Sequence, residues 1–111
     1  MTREERLRAR RVGQWFRRAL RVWGLWDLGW RWAWLDPDDH ADVDEMARGY
    51  GLCDFDTKML YIEQGHALLD DWREVADTCA HEVAHALSGD SSHGSRFKKA
   101  FRALAHRHRL D

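Results

Sequence analysis

The stretch His81-Glu82-Val83-Ala84-His85-Ala86-Leu87-Ser88-Gly89-Asp90-Ser91-Ser92-His93-Gly94-Ser95-Arg96-Phe97 joins two segments of different character. Its first five residues are His-Glu-x-x-His, and they sit inside the strongest helical pattern of the chain. Trp72, Val75, Ala76, Cys79, Ala80, Val83, Ala84 and Leu87 trace one broad apolar stripe over residues 71–88. Asp70 or Asp71 is placed to cap this helix, and Asp71 as N-cap puts Glu74 at the third helical position, as in a capping box. Gly89 supplies the stop. A last helix is expected from about Ser95 to His108, with Phe97, Phe101, Leu104 and Ala105 facing inward.

Four residues on a helix of 3.6 per turn bring His81 and His85 back to nearly one face, a turn apart. Two imidazoles so placed can reach one ion at about 2.0–2.1 Å, the usual Zn–N distance. Glu82 flanks such an ion without having to bind it, so it can hold a metal-activated water and take its proton. A catalytic zinc site wants three protein ligands and one open position. His93 is the natural third ligand, because the chain turns at Asp90-Ser91-Ser92 and Gly94 lets the backbone bend beside the ion. Phe97, one turn further, is expected to pack the last helix on the helix that carries His81 and His85.

Outward from this core, residues 4–23 read as an amphipathic helix. Leu7, Val12, Trp15, Phe16, Ala19, Leu20 and Trp23 recur at three- and four-residue steps between arginines, and Gly24 follows as a stop. From 26 to 34 the period changes to two: Trp26, Leu28, Trp30, Trp32 and Trp34 alternate with other residues, the pattern of a strand with one buried aromatic face. Residues 50–55 and 58–63 read as two further strands joined at Asp56-Thr57. Between these lies an acidic, loop-like stretch over 36–46 containing the only proline, Pro37. The expected architecture is a single α+β domain over 1–111. A basic helix occupies 1–24, a small antiparallel three-stranded sheet 26–63, and the metal-binding helices 71–108.

Composition narrows the function. The chain has 111 residues, of which 44% are hydrophobic and 33% charged, enough for one core and no second domain. No apolar run reaches the ~18–20 residues of a membrane span, and the first residues, Met1-Thr2-Arg3-Glu4-Glu5, do not read as a secretory signal, so a cytoplasmic protein is expected. Two cysteines, Cys53 and Cys79, are too few for a disulfide scaffold or a four-cysteine zinc ribbon. Cys79 lies about 200° around the helix from His81, off the ligand face, and both cysteines read as small core residues. His40 and His66 are expected in loops, exposed to solvent, and His106 and His108 at the surface.

The net charge of −1 conceals blocks: about +6 over residues 1–23, −10 over 36–77 and +3 over 78–111. Arg3, Arg6, Arg8, Arg10, Arg11, Arg17, Arg18 and Arg21 could meet the phosphates of a nucleic acid, and Trp15, Phe16 and Trp23 a bilayer interface. The simpler expectation is a helix that covers the sheet with its arginines in water.

The run from His81 to Leu87, followed by His93-Gly94-Ser95-Arg96-Phe97, resembles the SprT-like zinc metallopeptidases, whose pattern is HExxH, a short loop and HGxxF. Gly51-Leu52-Cys53-Asp54-Phe55 with Lys58-Met59-Leu60-Tyr61-Ile62 looks like the hairpin that precedes the active-site helix in that family. The resemblance spans about residues 26–105. It implies a zincin-like fold, one Zn²⁺ on His81, His85 and His93, Glu82 as general base, and hydrolysis of peptide bonds in a protein or peptide substrate. Some members act on proteins bound to DNA; without a C-terminal zinc ribbon or long DNA-binding extension in these 111 residues, a DNA role is not the expectation here. Tyr50, Tyr61 and His66 are candidates to stabilise an oxyanion. The alternatives are an ImmA/IrrE-type regulatory metallopeptidase, whose third ligand is acidic and for which Asp90 is the nearest residue, and a nonenzymatic module stapled by zinc.

Overall fold

The computed structural model describes residues 1–35 and 50–107. The acidic stretch over 36–46, with Pro37 and His40, and the terminal His108 lie outside the described residues. Among the described residues the elements are, in order, α1 (Arg3–Val22), β1 (Arg31–Leu35), β2 (Gly51–Asp54), β3 (Met59–Glu63), α2 (Gln64–Leu69), α3 (Trp72–Ser88) and α4 (Ser95–Arg107). The fold is α+β, as the sequence pattern indicates. No helix among the described residues is long and apolar enough to cross a membrane.

Helix α1 begins at a capping box: the Thr2 hydroxyl accepts from the Glu5 N–H while the Glu5 carboxylate accepts from the Thr2 N–H. Its apolar stripe buries Val12, Trp15, Phe16, Ala19 and Leu20, whereas Leu7 lies outside it and is exposed. Gly13 is the close-approach point on this face: a Cβ there would stand 3.1 Å from the Trp32 ring. One turn on, Phe16 stacks on the same ring at 5.1 Å and 10°. Each fully buried side chain of this size contributes about 1.5–3 kcal/mol, so these contacts fix α1 to the first strand. Arg3, Arg10, Arg11, Arg17 and Arg18 face solvent. Arg8 does not: it reaches across to donate to the Leu68 and Asp70 carbonyls and lies over the Trp72 ring.

The sheet corrects two expectations. The period-two run is a strand only from Arg31; residues 23–29 are turns. Gly24 and Gly29 adopt positive φ, 76° and 97°, and the backbone closes locally through Leu28 N–H to Leu25 O and Trp30 N–H to Leu25 O. These local bonds leave nothing for a ladder, so the alternation of Trp26 and Leu28 is not a strand signal: Trp26 stacks under Arg31 and Leu28 is exposed. The order is β1-β3-β2, with β1 parallel to β3 and β2 antiparallel to it, so the sheet is mixed and not wholly antiparallel. The reason is connectivity: β2 and β3 form a tight hairpin, while the long 36–49 connection lets β1 enter beside β3 in the same direction. The hairpin turn is built by Asp54, whose carboxylate accepts from the Asp56 and Thr57 N–H groups, with Lys58 left-handed at φ 57°.

After β3 the chain does not loop out. The Glu63 carboxylate accepts from the Gly65 and His66 N–H groups and starts the short helix α2. Helix α3 is capped at Asp71, whose side chain accepts from the Arg73 N–H, and ends at left-handed Gly89, φ 65°. It packs against α4 and against the hairpin strands β2 and β3. On α4, Phe97 and Leu104 are buried and Ala100 and Phe101 pack half-buried on the core, while Ala105 is exposed.

Candidate metal centre

Helix α3 delivers two imidazoles and the loop after it delivers the third. The Nε2 atoms of His81 and His85 lie 3.1 Å apart, as do those of His81 and His93. One ring nitrogen from each of the three lies within 4.8 Å of the others. Two nitrogens each about 2.05 Å from a tetrahedral ion stand about 3.3 Å apart, close to the His81–His85 and His81–His93 separations. A His81-His85-His93 group of this kind could hold a metal ion.

The donor chemistry fits as well. His85 Nδ1 donates to the Asp90 carbonyl at 2.8 Å, which fixes the tautomer and leaves Nε2 turned toward His81. An outer hydrogen bond of this sort orients metal-binding histidines. Asp90 takes part through its backbone only: its carboxylate accepts from Ser92 N–H and Oγ–H, both at 2.8 Å. Those two bonds are the main reason its carboxyl is held below the ordinary aspartate range. Asp90 is therefore the brace of the loop that presents His93.

Phe97 underlies all three rings. Its centroid is 4.9 Å from His81, 4.6 Å from His85 and 4.9 Å from His93. The expected role of Phe97 was to join two helices; it also forms the floor that spaces the imidazoles.

Glu82 is fully buried, with both carboxylate oxygens shut from solvent. It points to the sheet, where Gly51 of β2 makes room for it. A Cβ on Gly51 would stand 2.8 Å from Glu82 Oε2 and 3.0 Å from Cδ and Cγ. The carboxylate also reaches both thiols electrostatically. Burial first, then the negative charge of Glu82, pushes the Cys53 thiol up to about 12, and the same two causes raise Cys79. Cys79 lies in the core, as expected. Cys53 is only half-buried and lies beside the histidine centre.

His66 departs furthest from expectation. It is not a solvated loop residue: it sits in α2 at 3% exposure. Its Nδ1 donates to Asp70 Oδ2 at 2.7 Å and its Nε2 meets Thr78 Oγ1 at 2.9 Å. Tyr50 lies flat on the ring, 4.2 Å away and 3° from parallel. Sequence reasoning missed this network because its initiating cap is a glutamate, a weak N-cap signal, and because Gly65 reads as a break. The one usable signal was His66 and Asp70 at i,i+4 spacing. Tyr61 is half-buried on β3, and His106 is exposed as expected. Comparison with protein-family models, curated proteins and solved structures finds no match to this chain.

Proposed function

We propose that the chain is a zinc-dependent metallopeptidase of the SprT-like kind, with His81, His85 and His93 as ligands to one Zn²⁺ and Glu82 as general base. The convergence of three imidazole nitrogens above Phe97 carries this reading. When bound, the ion supplies Lewis acidity, polarising a carbonyl and lowering the pKa of a water toward about 7.

The protein's own groups do the rest. His85 is held to Asp90 O, so its lone pair stays aimed at the centre. Glu82 follows His81 directly, accepts a proton from the attacking water and passes it to the leaving amine. Its burial against Gly51 keeps bulk water from competing for that proton. The ligand count favours catalysis over a structural staple. Among the described residues no fourth histidine, cysteine or carboxylate joins the group, and three protein ligands leave the open position a catalytic site needs. His93, not the Asp90 carboxylate, completes the group, which favours the SprT-like over the ImmA/IrrE-type reading.

The test is Glu82→Gln, with zinc content measured beside cleavage of an unfolded protein substrate. Zinc should stay at one per chain while cleavage falls by roughly 10²–10⁴-fold. Undiminished cleavage would remove Glu82 from the base role, and a chain that takes up no zinc would end the reading altogether.

A further inference from the structure

Beside the three imidazoles lies a cavity of about 250 Å³, walled by Leu52, Cys53 and Phe55 on one side and by His85 and Ser91 on the other. His85 belongs both to the histidine group and to this wall. His85 is thus the shared wall, and the cavity lies within reach of a substituent next to an oxygen held at the centre.

The walls say what that substituent is. Leu52 and Phe55 are hydrocarbon, Ser91 offers a neutral hydroxyl, and Cys53 presents a small half-buried thiol. The outward nitrogen of His85 is already committed to Asp90 O. Among the described residues of the wall, none other than His85 can carry a positive charge to pair with an acidic group, and none presents a carboxylate to pair with a basic one. Phe55 is 37% exposed, yet its ring is set edge-on against Trp30 at 5.9 Å and 88°. The lip is thus apolar and held in place. The volume lies below the ~300–1,000 Å³ of sites that enclose whole small molecules, which suits one side chain.

We propose that this cavity is a specificity pocket that takes an uncharged apolar side chain next to the bond presented to His81, His85 and His93, with Leu52 and Phe55 as the specificity-determining residues. The proposal rests on the metallopeptidase reading and sharpens it to substrates with such a residue at the cleavage point. Hydrocarbon in a matched pocket discriminates by roughly 10–200-fold per methylene-scale change.

The probe is a series of hydroxamates, which chelate the metal and project a chosen group: acetohydroxamate, 4-methylpentanohydroxamate and the singly charged succinic monohydroxamate. Their Kd values on the zinc-loaded full chain are measured by calorimetry. The branched alkyl compound should bind at least about tenfold tighter than acetohydroxamate, and the carboxylate compound no tighter than acetohydroxamate. The alkyl gain should shrink below about threefold in Leu52→Asp and in the exposed Phe55→Ser, each confirmed to hold one zinc. A flat series, a preference for the charged compound, or a full gain in both variants would overturn the pocket. Cleavage of a peptide library without apolar preference would overturn the pocket alone. An apolar gain in binding with no cleavage of any peptide would uphold the pocket and overturn the peptidase reading. A chain that binds no zinc would overturn both.

Discussion

Helix α3 serves two histidine sites that differ in what the ring nitrogens meet. At its N-terminal half, His66 from α2 docks onto Thr78, and both of its nitrogens are consumed within the protein, one by the Asp70 carboxylate and one by the Thr78 hydroxyl. One turn further, His81, His85 and His93 turn their Nε2 atoms toward one another. The first arrangement satisfies a buried polar ring and leaves no lone pair for a ligand. The second brings three ring nitrogens within 4.8 Å of one another, a group that could hold a metal ion. Burial does not separate them, since His66 and His85 are equally buried. Only the hydrogen-bond partners tell a strut from a ligand.

The widest break in that comparison is metal uptake. His93→Ala should weaken zinc binding by more than the roughly 10–100-fold seen on losing an outer partner, while His66→Ala should still bind one zinc per chain. Equilibrium dialysis against a zinc buffer measures both. Equal affinities in the two variants would erase the distinction between the sites.

Next in size is Gly51→Ala. The added methyl would fall 2.8 Å from Glu82 Oε2, and the buried carboxylate must shift. If Glu82 is the general base proposed above, a misplacement of about 1 Å can cost about 100-fold in rate, so cleavage should drop on that scale with zinc content unchanged. Full activity would mean that Glu82 works from a position other than the one against β2.

The three-histidine half of this comparison was legible in the sequence, and the His66 half was not. His-Glu-x-x-His inside a capped apolar stripe fixes two ring positions by helix geometry alone, and the Gly89 and Gly94 bends bring His93 back within reach. The strands at 51–54 and 59–63 were readable because β3 alternates, burying Leu60 and Ile62. The tryptophan run misled because turns held by Gly24 and Gly29 mimic a period of two. The parallel pairing of β1 depends on a long connection, which carries no local signal. His66 and Gly51 were silent for another reason. Their roles come from contacts with Thr78 and Glu82, 12 and 31 positions away in the chain, and no window along the sequence brings those pairs together.

A smaller effect is expected at Phe97, the floor under the three imidazoles. Phe97→Leu keeps an apolar residue but removes the aromatic ring that lies against all three imidazoles. Zinc affinity should fall by about tenfold, the lower end for an outer-shell change, with His66 and its partners undisturbed. Unchanged affinity would mean that the α3 backbone and the 90–93 loop space the rings unaided.

The smallest expected effect belongs to the strut. Thr78→Val keeps the shape and removes the hydroxyl, leaving His66 Nε2 buried without its partner. The cost should be about 1 kcal/mol, the low end for an unsatisfied buried polar group, because Thr78 also spends its own hydrogen on the Glu74 carbonyl in a helix that bonds well without it. Asp70→Asn should cost less, since the Asp70 side chain is 38% exposed and water can replace part of what it gives. Urea unfolding of the zinc-free protein reads both as a lower midpoint at constant slope. Zinc affinity in either variant should match wild type within about twofold, because Thr78 and Asp70 stand outside the three-ring group. A zinc defect as large as that of Phe97→Leu would show that the two histidine sites are coupled along α3, and that His66 sets the position of His81 as well as the docking of α2.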